Sequence, residues 1–463
     1  AISLLLPVVS TIQPCLFDGG SLRADLARRV AWPTESAVAA RSATLRAYLD
    51  AEIGPALERL GFAVSVHDNP VSGAPPLLVG VRDEDPSLPT VLFYGHGDVV
   101  TGLEGAWRDH RDPWTLDDTG DRWYGRGTAD NKGQHSVLLA ALAALHTARA
   151  GSLGFNARWL FEMGEEVGSP GLHEFCARSR DLLAADVLIA SDGPRLAADR
   201  PTVFLGSRGI AEVDLELRLR DGAHHSGNWG GLLRNPGTIL AGAIASLVDA
   251  HGVIRVASLR PPPIPDSVRR CLAPLQVGGG PDDPTIDDGW GEPGLTPAER
   301  VFGWNTLELL AFGCGDPERP VGAIPGVARA TLQLRYVVGT DVSRFDQVIA
   351  EHLIEHGFDG IQVSEPRLAA ATRVDPDDRW VRFAVDVIGD ATGKEVAVLP
   401  NLGGTIPNDA FSEVLGMPTV WVPHSYPGCS QHAPNEHLLP AVAREGLLAT
   451  TALLWELGEL SMA

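Results

Sequence analysis

Four apolar runs in this chain each lead into acidic residues or a histidine. They are Val91–Tyr94 before His96 and Asp98, Ala157–Phe161 before Glu165 and Glu166, Ala185–Ala190 before Asp192, and Pro418–Val422 before His432. Short buried runs that alternate with helical stretches predict parallel strands. The crevice of an open parallel sheet lies beyond the carboxyl ends of its strands. We therefore expect these side chains to converge on one site.

The balance of charges narrows the possible partners. The chain has 59 acidic and 37 basic residues, which gives a formal net charge of -22. So acidic a chain is not expected to bind nucleic acid or an anionic membrane surface, but it suits a site for divalent cations. A length of 463 residues predicts two or three domains.

Cysteine usage and hydropathy predict a cytoplasmic protein. The five cysteines are far apart and form no CxxC motif, so we expect a reducing compartment rather than a disulfide framework. They are Cys15, Cys176, Cys271, Cys314 and Cys429. No apolar run approaches the ~18 residues of a membrane span. The apolar start Ala1–Val9 lacks a basic region, so a full signal peptide is not expected.

The pattern of predicted elements changes twice along the chain. Residues 1–207 alternate strand-like and helix-like stretches, which predicts parallel βαβ units, and residues 371–463 return to this alternation. Between them, residues 208–370 contain strictly alternating, half-exposed strands at 212–220 and 331–338. We predict an α/β domain split in sequence, with a mainly parallel sheet flanked by helices, and an inserted α+β domain. Residues 260–299, rich in Pro and Gly, are predicted to form a long loop.

His96 and Asp98 are two residues apart at a predicted strand end, so they point to the same side. His96 is then a candidate metal ligand, and Asp98 orients it. Asp130 lies just before a predicted helix that begins at Lys132. It is either the N-cap of that helix or a carboxylate that bridges two cations, and its position alone does not decide.

Glu165 and Glu166 are adjacent, so their carboxylates point in different directions. One can bind a metal while the other acts as general base on a metal-bound water. The alternative is an exposed acidic turn. Asp192 precedes Gly193, and its alternative is a turn aspartate.

His432 has two rivals for the role of ligand, His424 and His437. Cys429 lies three residues before His432, but it has no partner at motif spacing and is predicted to be a bystander. A mixture of histidines and carboxylates suits zinc, with manganese or cobalt as alternatives. The predicted cofactor is therefore a pair of divalent cations.

The order of these motifs resembles the co-catalytic zinc peptidase family, over nearly the whole chain. The matching motifs are His96-x-Asp98, Asp130-Asn131-Lys132-Gly133, Glu165-Glu166, Asp192 and His432-x-x-Asn435-Glu436. That family includes carnosinase-type dipeptidases, acetylornithine deacetylase, succinyl-diaminopimelate desuccinylase, aminoacylase and glutamate carboxypeptidases. The resemblance implies a catalytic domain of residues 1–207 and 371–463 and a lid/dimerisation domain of residues 208–370.

The resemblance also implies a role for each site residue. His96 and Asp192 would bind one cation, Glu166 and His432 the other, and Asp130 would bridge them. Glu165 would be the general base, and Asp98 would support His96. The family often has a cis peptide after the bridging aspartate, here Asp130–Asn131.

Further matches lie in the lid and in a glycine-rich loop. His225 would donate to the oxyanion, often across a dimer interface in this family, although the adjacent His224 leaves the assignment open by one residue. Arg335 would bind a substrate carboxylate, and its alternative is an exposed strand arginine. Gly404 and Thr405 would hold the same carboxylate through backbone amides and a hydroxyl.

We therefore expect a dinuclear metallohydrolase that cleaves a dipeptide or an N-acyl amino acid with a free carboxylate and forms a homodimer through its lid. The alternatives are an N-acyl-amino-acid amidohydrolase or carboxypeptidase, and a non-catalytic metal-binding protein on the same scaffold. A nucleotide-dependent enzyme is not supported, because no GxxxxGK[ST] motif is present.

Overall fold

The computed structural model describes residues 20–280 and 283–460. Cys15 and the apolar start Ala1–Val9 lie outside the described residues. The described strands, in chain order, are β1 Ala63–His67, β2 Leu77–Arg82, β3 Thr90–His96, β4 Asp117–Asp118, β5 Trp123–Tyr124, β6 Asn156–Glu162, β7 Val187–Ala190, β8 Thr202–Phe204, β9 Gly209–Arg218, β10 His224–His225, β11 Thr306–Gly313, β12 Ala323–Ile324, β13 Val327–Tyr336, β14 Gln362–Val363, β15 Arg367–Ala369, β16 Ala397–Leu399, β17 Thr419–Trp421 and β18 His437–Leu438.

The described α-helices are α1 Ser21–Val30, α2 Ser42–Tyr48, α3 Gly54–Glu58, α4 Lys132–Ala148, α5 Leu172–Arg178, α6 Arg180–Leu183, α7 Ser226–Trp229, α8 Pro236–Leu247, α9 Asp266–Leu272, α10 Pro297–Phe302, α11 Phe345–Glu355, α12 Arg379–Thr392 and α13 Pro440–Leu457. Short 3₁₀ turns cover Ala39–Arg41, Arg108–His110, Glu165–Val167, Ala257–Leu259 and Pro427–Cys429. Leu49–Ile53 and Ala410–Leu415 are π-helical. Within the described residues, no helix is both long and apolar enough to cross a membrane.

The large sheet has eight strands in the order β1-β2-β6-β3-β7-β17-β8-β16. Strand β3 runs parallel to both β6 and β7, and β7 runs parallel to β17. Antiparallel pairing is found for β1 with β2, β2 with β6, and β17 with β8. Four central strands therefore point their carboxyl ends to one edge, as the apolar runs predict.

Side chains alternate between the two faces of this sheet, as the two-residue period of a strand requires. On β3, Phe93 packs with helices α1, α4, α12 and α13, whereas Leu92 and Tyr94 pack with α5, α9 and α10. Helices thus cover both faces, and the strands between them are almost continuously apolar. The predicted α/β class with a mainly parallel sheet flanked by helices is confirmed.

A second sheet is antiparallel and is formed by β11, β13, β9, β14 and β15. Its apolar face packs under α8 and α11 around residues such as Val213 and Leu332. Its other face is charged, with Arg367 bridging Glu212 and Asp214. This one-sided burial is typical of antiparallel sheets. The domain boundaries at residues 207 and 370 stay a prediction.

The prediction of one long loop over residues 260–299 is wrong. Helix α9 lies inside it, because Val268 and Leu272 are four residues apart and bury one helix face. The end of the segment begins α10, where Thr296 and Glu299 form a capping box. The frequent Pro and Gly residues of the segment obscured both short helices.

Candidate active site

The carboxyl ends of the central strands bring the predicted ligands together. His96 is the last residue of β3 and lies opposite Glu162, the last residue of β6. The Glu165–Val167 turn follows β6 directly, and Asp192 follows β7 by two residues. The parallel pairing of these strands is therefore what gathers residues that are about a hundred positions apart.

The residues His96, Asp130, Glu165, Glu166, Asp192 and His432 form one cluster. Asp130 lies at its centre and directs its two carboxylate oxygens to opposite sides. Its Oδ1 is 3.0 Å from Nε2 of His96, and its Oδ2 is 3.1 Å from Nε2 of His432. Nε2 of His96 is also 3.6 Å from Oδ2 of Asp192, and Nε2 of His432 is 3.0 Å from Oε2 of Glu166. Each side of Asp130 thus faces one histidine and one further carboxylate.

Asp98 holds both His96 and the turn that follows β6. Its Oδ1 lies 3.2 Å from Nδ1 of His96. The backbone N–H groups of Glu165 and Glu166 donate to its two oxygens at 3.2 and 3.1 Å. Because Asp98 is fully buried, these bonds are shielded from water and fix the orientation of all three residues.

Asp130 is not the N-cap of α4, so that interpretation is wrong. Asn131 occupies the cap position, and its side chain makes no capping bond there. Instead its amide donates to the carbonyl of Ser191 at 2.8 Å. The Asp130–Asn131 peptide bond is cis. The carboxylate of Asp130 is thereby left for the cluster.

Burial raises the pKa values of three carboxyls in the cluster. It raises the pKa of Glu165 well above its usual range. It raises the pKa of Glu166 to about 7 and that of Asp192 to about 6, with the nearby charge of Asp130 adding to both shifts. So many carboxylates in so little space favour neutralisation by protons or by cations.

In the two histidines and Asp130, hydrogen bonds outweigh burial and set the direction of the pKa shift. Hydrogen bonds to Asp130 and Glu166 raise the pKa of His432 to about 10. Burial acts to lower the pKa of His96, but hydrogen bonds to Asp130 and Asp98 act more strongly. The net pKa of His96 therefore lies well above its usual range. Burial acts to raise the pKa of Asp130, but the hydrogen bonds to His432 and His96 act more strongly. The net pKa of Asp130 therefore lies below its ordinary value. Cations would take the place of these protons.

The donor set suits two metal ions. His96, Asp130 and Asp192 offer ligand atoms within 4.8 Å of one another, and so do Asp130, Glu166 and His432. Oε1 of Glu166 is buried and has no hydrogen-bond partner among the described residues. An unpaired buried carboxylate oxygen costs free energy unless a cation or proton meets it. Histidine nitrogens and carboxylate oxygens are ligands that zinc accepts.

His424 and His437, the two other candidate ligands, have different neighbours from those of His432. His424 is buried, and its Nε2 lies 3.3 Å from Oγ of Ser191. Nε2 of His437 is 2.7 Å from the hydroxyl of Tyr426, and its Nδ1 is 2.9 Å from the carbonyl of Asn435. Of the three, His432 is the histidine that contacts Asp130.

The predicted carboxylate-binding residues lie close together, and two of them line the same cavity. Arg335 donates to Oγ1 of Thr405 at 2.9 Å, and Gly404 and Thr405 line the cavity. Sequence reasoning missed Arg208, which donates from Nε to the carbonyl of Gly403 at 2.9 Å. Its Nη1 is buried and has no hydrogen-bond partner among the described residues. Burial lowers the pKa of Arg208 to about 10, with the charge of Arg335 adding to the shift.

His225 is not brought to the cluster within this chain. It is exposed on the two-residue strand β10, whose partner is β12. His224 is also exposed and lies 6.4 Å, between ring centroids, from Trp229. The lining of the cavity in the described structure includes neither histidine.

Two further residues next to the cluster had no predicted role. Gln431 donates to Oδ2 of Asp130. Glu436 is buried, and its carboxylate accepts from the N–H groups of Gly127, Ala129 and Asp130. Glu436 belongs to the His432-x-x-Asn435-Glu436 motif, so its place in that motif was the available signal.

Comparisons with known proteins found a matching family, similar sequences and similar structures. The profile of Peptidase family M20/M25/M40 matches residues 92–456. The cysteinylglycine-S-conjugate dipeptidase of Corynebacterium striatum is 28% identical over 365 residues, which is 76% of each protein. The beta-Ala-His dipeptidase of Homo sapiens is 26% identical over 401 residues, 83% of this chain and 78% of the relative. The crystal structure of human carnosine dipeptidase 1 superposes with a TM-score of 0.77 at 25% identity and covers 99% of both chains.

Proposed function

Because the chain belongs to Peptidase family M20/M25/M40 and is thus a metal-dependent hydrolase of peptide bonds, we propose that it is a dipeptidase. The relatives named above as dipeptidases support this substrate class. The observation that carries the proposal is Asp130, whose two oxygens face two separate histidine–carboxylate pairs in one cavity. Two-metal hydrolytic sites need such a bridging group.

The cations are proposed to be zinc, with manganese or cobalt as alternatives. His96, Asp130 and Asp192 would hold one, and Asp130, Glu166 and His432 would hold the other. When bound, the two cations would supply Lewis acidity that polarises the scissile carbonyl and makes water acidic enough to react at neutral pH.

Glu165 is proposed to move the protons. Its Oε2 lies 3.9 Å from Nε2 of His96, and the residue lines the cavity. A carboxyl whose pKa is raised by burial can take a proton from the attacking water and later deliver it to the leaving amine. Asp98 acts as a positioning residue, because it fixes the backbone N–H of Glu165 and the ring of His96.

The substrate carboxylate is proposed to bind beside Thr405. Arg335 and Arg208 both reach the loop that contains Gly404 and Thr405, and the buried Nη1 of Arg208 lacks a partner. Guanidinium groups match a carboxylate in geometry and charge. This anchor favours peptides with a free C-terminus.

We also propose a homodimer in which His225 serves the partner's site as oxyanion donor. The exposure of His225 supports this, as do exposed apolar side chains in the same region, such as Trp229, Leu232 and Val321. Apolar groups in such number mark interaction surfaces. The cytoplasmic location stays a prediction.

Replacing Glu165 by Gln tests the proposed chemistry. Glu165→Gln keeps the shape of the side chain but removes the base, so kcat on a dipeptide should fall about a thousandfold. The matched control is Glu174→Gln, at an exposed glutamate of α5, which should keep wild-type turnover.

The readouts are dipeptide hydrolysis, thermal unfolding and metal content of the zinc-loaded proteins. A folded Glu165→Gln variant with near-native turnover would contradict the role of Glu165. Wild-type enzyme that cleaves N-acetyl amino acids but no dipeptide would replace the dipeptidase proposal by the amidohydrolase alternative.

A further inference from the structure

The cavity over the cluster has a wall formed by the chain segment to which sequence reasoning assigned no role. The cavity measures about 640 Å³, and Asp130, Glu165, Asp192 and His432 line it. Val277, Pro284 and Ile286 line it as well. These three residues, here called the loop wall, come from the Pro- and Gly-rich stretch between α9 and α10.

The loop wall continues into an apolar surface that packs on the large sheet. Leu196, Phe302, Leu399, Leu402 and Ile406 line the same cavity. Val277 packs against the cluster that contains Phe302 and Leu402, so wall and core form one continuous surface. This surface presents aliphatic and aromatic groups.

Two charged residues among those that line the cavity already have partners. Arg195 is buried, and its Nη1 donates to Oε1 of Glu445 at 2.6 Å. The carboxylate of Asp283 accepts from the N–H of Gly280 at 2.9 Å, so it folds back on its own loop. Arg195 thus makes hydrogen bonds within the protein, and so does one oxygen of Asp283.

The apolar surface adjoins both the cluster and the proposed carboxylate anchor. A Cβ placed at Gly193, next to Asp192, would lie 3.0 Å from Cδ2 of Leu402, and one at Gly404 would lie 3.7 Å from the same atom. A Cβ at Gly403 would lie 3.8 Å from Cε1 of Phe302. Leu402 thus spans the space between the cluster and the anchor, and Phe302 borders the anchor.

The chemistry of a dipeptide decides which side chain meets this surface. In the C-terminal residue, one Cα carries both the free carboxylate and the side chain. A carboxylate held beside Thr405 therefore keeps that side chain within the cavity that Phe302, Leu402 and the loop wall also line. The 47% exposure of Ile286 leaves apolar area that a substrate can cover.

We propose that the loop wall makes the enzyme selective for dipeptides with a large apolar C-terminal residue, an inference that rests on the proposed dipeptidase function. A hydrophobic pocket discriminates by roughly 10- to 200-fold for each methylene that it does or does not accommodate. We therefore expect kcat/KM for Ala-Leu and Ala-Phe to exceed that for Ala-Gly and Ala-Asp at least about tenfold.

Two series of peptides and two variants test this selectivity on the zinc-loaded enzyme. One series varies the C-terminal residue after Ala, and the other varies the N-terminal residue before Ala. In Ile286→Ser, the ratio of Ala-Leu to Ala-Gly hydrolysis should fall about tenfold. Ile354→Ser, at a 60% exposed isoleucine of α11, is the matched control and should keep the wild-type ratio.

Three results would overturn the inference. They are equal hydrolysis across the C-terminal series, selectivity found in the N-terminal series alone, and an Ile286→Ser variant with the wild-type ratio. In each case dipeptides are still cleaved, so the proposed function survives. Failure to cleave any dipeptide would instead remove the dipeptidase proposal and the selectivity together.

Discussion

His424 shows how strongly burial acts on a single side chain of this protein. It is fully buried, and its Nδ1 has no hydrogen-bond partner among the described residues. Burial lowers the pKa of His424 to about 3, and the charge of Arg195 acts in the same direction. The ring is therefore neutral in the folded protein at neutral pH, whereas in the unfolded chain it takes up a proton near pH 6.5.

This difference predicts a pH dependence of stability. The folded pKa lies below the unfolded value, so the contribution of His424 is complete above pH 6.5 and is lost as the pH falls toward 3. Between pH 7.5 and pH 5, wild type should lose about 2 kcal/mol more of its free energy of unfolding than His424→Gln.

Urea unfolding of the metal-free proteins at several pH values measures this loss. His251→Gln, at an exposed histidine, is the control for the effect of replacing any histidine by glutamine. Parallel pH curves for wild type and His424→Gln would contradict the argument, because another group would then cause the acid sensitivity.

Among the elements, the loop that carries Asp130 depends on Glu436. Oε1 of Glu436 accepts from the N–H groups of Ala129 and Asp130 at 2.9 and 3.0 Å, and Oε2 of Glu436 accepts from Nη1 of Arg126 at 2.7 Å. Both side chains are 1% exposed. Burial raises the pKa of Glu436, and the charge of Arg126 opposes this shift. The ion pair and the backbone bonds together hold the loop in one conformation.

Glu436→Gln should therefore damage both stability and metal binding. The amide leaves Arg126 buried without a counter-charge, which costs about 3 kcal/mol of the free energy of unfolding. Because the loop positions Asp130, we expect zinc affinity to fall at least about tenfold. Urea unfolding and a competition titration with a zinc chelator measure the two effects.

Glu355→Gln, at an exposed glutamate of α11, is the control for this substitution and should leave both quantities unchanged. Wild-type zinc affinity in Glu436→Gln would show that the loop holds its conformation without Glu436.

Elements with a clear period of apolar residues could be predicted from the sequence, and elements without one could not. Strand β3 contains the predicted apolar run Val91–Tyr94, and α4 begins at the predicted Lys132, because continuous apolar runs specify both. Helix α9 was missed, since seven residues contain too few turns for a clear period among the surrounding prolines. The backbone of His432 has a φ of 60°, and no periodic pattern in the sequence predicts this conformation.

At the scale of the whole molecule, the proposed dimer makes a prediction about shared sites. His225→Ala and Glu165→Gln should each be nearly inactive alone. If His225 serves the partner's site, a mixed dimer has one site with both Glu165 and a partner's His225. Co-expression of the two variants should therefore restore about a quarter of wild-type activity, since half of the dimers are mixed and each has one intact site.

The readout is dipeptide hydrolysis by the whole co-expressed population, purified through one affinity tag that both variants carry. Each variant purified alone is the baseline. Mixed dimers that stay at this baseline would contradict the shared site and place His225 outside the reaction.

The sequence by itself determined which residue types stand at the strand ends, and in what order. This followed because apolar periodicity specifies parallel strands, and parallel strands end at one edge of a sheet. The family resemblance selected His432 over His424 and His437, and the tertiary structure brings it to Asp130. Only the tertiary structure decided that Val277 and Ile286 border the cavity. The positions of loop residues depend on packing between segments far apart in the chain, and no local pattern records such contacts.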